Sequence, residues 1–138
     1  WRALLARGEA EVQAGRYAVA RALYEEGLNQ HAATSAAPAG ATPALPEADR
    51  AALLNAHYNL ACILSLASAG KDGPGDAAKP VPSADAGKLR DAALEHLREA
   101  IRLGWNDGAH LEQDADLAPL HDDPRWKALL DALNRIPK

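Results

Sequence analysis

Trp1, Leu4, Leu5, Gly8 and Val12 recur at three- and four-residue intervals, the spacing that gathers side chains on one face of a helix. After Ala14-Gly15-Arg16 a second face follows with Tyr17, Ala20, Tyr24, Gly27 and Leu28, and Gly15 is placed to stop the first helix. Residues 1–30 therefore predict a helix pair. From His31 to Pro46 the chain turns to Ala, Thr, Ser, Pro and Gly with almost no charge, which offers no periodic face and reads as a loop. Helix signals resume at Pro46-Glu47, with Leu53, Leu54, His57, Leu60, Ala61 and Leu64 on one face as far as about Ser68. The stretch Ala69 to Gly87 carries Gly-Lys-Asp-Gly-Pro-Gly and Pro-Val-Pro and reads as an inserted loop. From Lys88 a fourth helix presents Leu89, Ala92, Ala93, Leu97, Ala100 and Ile101 and stops at Gly104.

The last third is shorter-jointed. Asp107 to about Gln113 predicts one or two helical turns, and Asp114 to His121 an irregular crossing segment. Asp123-Pro124 has the form of an N-cap with proline at the first helical position, and Trp126, Leu129, Leu130 and Leu133 then make the stripe of a terminal helix. The pattern predicts five full helices, a short sixth and no strand.

Two of the pairs share a spacing of small residues. Gly8, Ala20 and Gly27 stand 12 and 7 apart, and Ala61, Ala93 and Ala100 stand 32 and 7 apart, which becomes 12 and 7 once a 20-residue insertion is removed. Small residues at such places let helices approach closely, with Tyr17, Tyr24, Leu60 and Leu97 filling the space between.

These residues resemble the tetratricopeptide-repeat (TPR) family, whose unit has a large residue, then Leu-Gly, an aromatic, and small residues on its second helix. Gly-Arg-Tyr-Ala-Val-Ala at 15–20 with Tyr24 matches the family's turn into the second helix; Asn59-Leu60-Ala61 and the segment 92–101 match a second unit. Arg7 stands where leucine is usual and Glu11 where tyrosine is usual, and both insertions depart from the pattern. The tail from Gly104 to Leu133 resembles a degenerate third unit that caps the stack, as an open terminal pair would leave its apolar face in water. The resemblance implies an all-α, TPR-like right-handed superhelix of antiparallel helix pairs in a single domain over 1–138. Its parts are repeat 1 at about 1–30, loop 31–46, repeat 2 at about 47–103 with inserted loop 69–87, and a capping segment 104–138.

Composition narrows the chemistry. The chain has 138 residues, 48% of them apolar, yet no phenylalanine or methionine, so its core rests on Leu and Ala with a few Trp and Tyr anchors. A single cysteine, Cys62, excludes an internal disulfide and a multi-cysteine zinc site. A net charge of -4 with basic and acidic residues intermixed gives no stripe for a phosphate backbone, so nucleic acid is not an expected partner. No stretch has the roughly 20 uninterrupted apolar residues of a membrane span, so direct membrane insertion is not expected either. A start at Trp1 suggests a fragment or a processed protein.

In the TPR family the first helix of each unit lines a concave groove. The resemblance places Arg2, Leu5, Glu9 and Val12 from the first unit, and Asn55, Tyr58, Asn59, Cys62 and Ser65 from the second, on or near it as partner-binding residues. Asn59 matches an asparagine that chaperone-binding members use to grip a C-terminal carboxylate, but Leu5 and Glu9 replace the Lys and Asn of that grip. Binding of Hsp70 or Hsp90 C-terminal tails is therefore not expected. Asp114, Asp116, His121, Asp122 and Asp123 have no metal-ligand spacing and read as solvated acids and helix caps. His57 reads as packing, and Cys62 as a buried thiol rather than a redox group. No nucleophile, base and orienting group stand together, so no catalytic residue, metal or cofactor is expected.

The expected function is a non-catalytic interaction scaffold, with Leu5, Val12 and Tyr58 giving apolar contacts and Asn55, Asn59 and Glu9 fixing the partner's orientation. The order of a TPR pair, a Tyr-Asn-Leu-Ala-Cys helix, Gly-Trp-Asn-Asp and an Asp-Ala-Asp-Leu tail is similar to TPR modules of chloroplast proteins that assemble or repair photosystems. That likeness implies a place on the stromal side of the thylakoid. The alternative is a regulatory appendage of a larger bacterial or organellar enzyme.

Overall fold

The computed structural model describes residues 1–34, 45–71 and 79–135. Among them are six α-helices and one 3-10 helix, with no strand: α1 Arg2–Gln13, α2 Tyr17–Thr34, α3 Glu47–Ser68, α4 Ser83–Arg102, α5 Gly108–Gln113, a 3-10 turn Ala115–Leu120, and α6 Pro124–Asn134. Two boundaries differ from the sequence expectation. Helix α2 runs on through His31–Thr34, and α4 starts at Ser83, directly after Pro80-Val81-Pro82, rather than at Lys88. Alanine and isolated polar residues have no breaking power of their own, so α2 continues past the expected boundary and α4 begins directly after the prolines. The remaining parts of the expected loops, 35–44 and 72–78, lie outside the described residues.

Gly15, at φ +78°, takes the left-handed conformation that the three-residue joint between α1 and α2 requires. The resulting pair is antiparallel: Trp1 meets His31, Leu5 meets Gly27, and Gly8 meets Tyr24. A Cβ on Gly8 would stand 2.9 Å from the Tyr24 ring, and one on Gly27 would stand 2.7 Å from Leu5 and 3.2 Å from the Trp1 carbonyl oxygen. Two glycines thus set how closely α1 and α2 approach, and Ala20 and Tyr24 between them are fully buried.

The second pair, α3 with α4, repeats the device with alanine. Ala61, Ala93 and Ala100 are buried with Leu60, Leu64, Leu94 and Leu97 packed around them. Helix α3 is the hub, packing against α1, α2, α4 and the 3-10 turn. Within its 22 residues an 18-residue window reaches the mean hydropathy, 1.2, of a membrane span, but 61% of that window is buried by the surrounding helices, which accounts for its composition without a bilayer.

Three aspartates organise the tail. Asp107 accepts from the His110 amide, Asp114 from the Asp116 amide and Asp123 from the Arg125 amide, each at 3.0 Å, so each opens a short helix with a side-chain cap. Leu111, Leu117, Leu120, Trp126, Leu129 and Leu133 carry the tail onto the core. Arg125 adds an ion pair to Asp91 of α4 at 2.7 Å.

Candidate functional site

The nine residues expected in a groove separate into two depressions and one buried remainder. Arg2, Leu5, Glu9 and Asn55 line the first, a hollow of about 140 Å³ completed by Ala6, Tyr24 and Ala52. Helices α1 and α3 supply most of its wall. Arg2 and Glu9 are exposed, and Arg2 reaches Asp49 of α3 at 3.4 Å. Beneath lies Tyr24, whose buried hydroxyl accepts from Asn59 Nδ2 at 3.0 Å, tying α2 to α3.

Val12, Tyr58, Asn59 and Cys62 line the second depression, of about 230 Å³, with Tyr17, Ile63, His110, Asp114 and Asp116. Its polar floor is built by the tail. Asp114 uses Oδ1 to cap the 3-10 turn and Oδ2 to accept from the Tyr58 hydroxyl at 2.5 Å, while the Cys62 thiol stands 3.7 Å from the same oxygen. Tyr58 is held flat by Trp105, the two rings stacked at 4.2 Å and 10°.

The acids and the low exposure decide the protonation states here. Burial first, and then the bond to Asp114, raise the Tyr58 hydroxyl far above the usual phenol range. Burial, and then the charges of Asp114 and Asp116, push the Cys62 thiol well up, so it stays protonated and a poor nucleophile. Asp116 is itself raised, by burial and by Asp114 beside it, with Lys71 pulling the other way. Cys62 Sγ and carboxylate oxygens of Asp114 and Asp116 come within 4.8 Å of one another. Within this set both Asp114 oxygens already accept protein hydrogen bonds.

Several expectations are corrected. Ser65 belongs to neither depression; it is fully buried, with no hydrogen-bond partner for its Oγ among the described residues, and has no surface to offer a partner. Leu5, Tyr58 and Cys62 are buried as well, at 4%, 6% and 6% exposure, and shape the depressions from below rather than presenting side chains outward. Asp114 and Asp116 are not freely solvated acids; the tail folds them onto α3. Asp123 does act as a cap, and its bonds from Arg125 hold its carboxyl down at about 2.

His57 does more than pack. Its Nδ1 lies 2.9 Å from Nδ1 of His96, across the α3–α4 interface. One of these nitrogens must carry a proton and the other a lone pair, so the two rings cannot both be protonated in this geometry. Burial and the neighbouring His96 push His57 down to about 4, and burial lowers His96 too. The pair was absent from the sequence reading because His96 sits 39 residues from His57 and carries no motif.

In comparison with known proteins, no family model, no curated protein and no solved structure matches the chain.

Proposed function

We propose that this chain is a TPR-like scaffold that holds a segment of a partner protein against the face formed by α1, α3 and the tail, and that it catalyses nothing. One observation carries the reading. Two helix pairs are closed by small residues at equivalent places, Gly8, Ala20 and Gly27 in one and Ala61, Ala93 and Ala100 in the other, and this leaves two adjacent depressions along α1 and α3. The repeat geometry we propose is the one implied by the residues that resemble the TPR family, with the tail as its cap. Docking there is specified by the residues that retain surface: Arg2, Glu9, Asn55, Asn59 and Val12.

The test is capture of binding proteins by the purified wild type and by a Glu9→Lys, Asn55→Ala double variant, both at positions that carry no core packing of their own. The wild type should retain proteins that the variant releases. Identical captured sets would move the docking site off this face. The process we assign is assembly of a photosystem on the stromal side of the thylakoid, and a cell lacking the gene should accumulate less assembled photosystem. Normal accumulation would leave the scaffold and remove that process.

A further inference from the structure

We infer that the larger depression is a socket for one basic side chain, lysine or arginine, of the partner segment; this rests on the scaffold reading above and names the chemistry of its anchor. The socket combines the two features that recognise an organic cation. Asp114 and Asp116 supply negative charge at its floor, and the half-buried Tyr17 supplies aromatic surface beside them, with Tyr58 buried beneath. Its volume, about 230 Å³, takes a single long side chain.

Charge complementarity selects this occupant. Among the described residues no lysine or arginine nitrogen lies within 4.0 Å of either carboxylate; Asp114 has only His110, at 3.7 Å, and Asp116 has no ion pair. Lys71, the cation that acts on Asp116, lines a neighbouring depression that shares Tyr17 and Ile63 with the socket. Two like charges gathered at a half-buried floor repel one another, and an incoming ammonium or guanidinium relieves that repulsion while its methylene stem covers the Tyr17 ring. A metal ion fits less well. It would compete with the cap and the Tyr58 bond for the Asp114 lone pairs, whereas an organic cation can use the Asp116 carboxylate, which has no ion pair among the described residues.

Random peptides displayed on phage, selected against the wild type and against Asp116→Asn, test the socket. Peptides recovered on the wild type should share a lysine or arginine at one position. Replacing that residue in a synthetic copy by acetyl-lysine, or using Asp116→Asn, should weaken binding roughly tenfold, and Asp116→Glu should restore most of it. Added salt should weaken the wild-type complex in the same direction. Recovered peptides with no shared basic residue, or with affinities that Asp116→Asn leaves unchanged, overturn the socket while the scaffold stands. Recovery of no binding peptide at all overturns both. A matching thermal melt for Asp116→Asn and wild type keeps the comparison free of unfolding.

Discussion

The Tyr58 hydroxyl donates to Asp114 across 2.5 Å of space and 56 residues of sequence. Tyr58 lies in the middle of the hub helix and Asp114 opens the 3-10 turn of the tail, so this contact adds a polar tie to the apolar packing of the last third of the chain on the rest. Tyr58→Phe keeps the stack on Trp105 and removes only the donor. It should cost about 1–3 kcal/mol, because a half-buried carboxylate oxygen loses its best partner. Asp114→Ala should cost more, as it removes the cap as well. Urea unfolding of both variants measures the difference, and a Tyr58→Phe midpoint equal to that of the wild type would refute the assigned role.

Glycines at two helical sites should respond to alanine with opposite signs. At Gly27 a Cβ meets Leu5 at 2.7 Å and the Trp1 carbonyl oxygen at 3.2 Å, so Gly27→Ala should destabilise by about 1–2 kcal/mol even after the gain in helix propensity. At Gly87, inside α4, a Cβ meets nothing within 4 Å. Gly87→Ala should therefore stabilise, by up to about 1 kcal/mol. Thermal melts of the two single variants suffice.

Ser65 is fully buried and its Oγ has no partner among the described residues, so the hydroxyl carries a desolvation cost with nothing to offset it. Ser65→Ala should leave stability unchanged or raise it by up to about 1 kcal/mol. Loss of more than that amount would mean that the hydroxyl has a partner after all.

The histidine pair gives stability a pH dependence of definite sign. His57 is pushed from 6.5 down to about 4 on folding, so the unfolded chain binds the proton more readily. The stabilising term is complete above about pH 6.5 and is lost as pH falls through that value towards 4, below which it changes no further. Glu99 works against the shift and Arg102 and His31 with it, while Glu25, Glu95 and Glu99 raise His96. The melting temperature should fall across that window, and His57→Gln should flatten the slope there. The Asp123 carboxyl, held at about 2, contributes a separate loss below pH 4 that the variant leaves in place.

Legibility in the sequence followed the range of the interaction. Helix periodicity, the Gly15 stop, the Asp123 cap and the small residues at 8, 20, 27, 61, 93 and 100 are local or periodic signals, and the helices and their closest crossings fall where those signals stand. The ends of α2 and α4 were misjudged because alanine neither starts nor stops a helix, and only the prolines at 80 and 82 marked a firm edge. The candidate site was legible only in part. Assigning α3 to a groove gave Asn55, Asn59, Tyr58 and Cys62, but burial separated Ser65 from them, since on a helix covered on several sides the outward positions are few. Asp114 and Asp116 were visible as acids and not as neighbours of Tyr58 and Cys62, because nothing in a linear pattern tells which acid of a tail will be folded inward.

The burial of α3 on several flanks has a price in handling. A version ending before Ser83 would lack α4 and the tail and bare the flank that carries Leu60, Ala61 and Leu64, on a helix whose most apolar 18 residues have a mean hydropathy of 1.2. Such a truncation should clump or adhere to detergent and vesicles, and gel filtration should find it in the void volume. Trimming this protein to a minimal fragment must therefore keep α3 and α4 together.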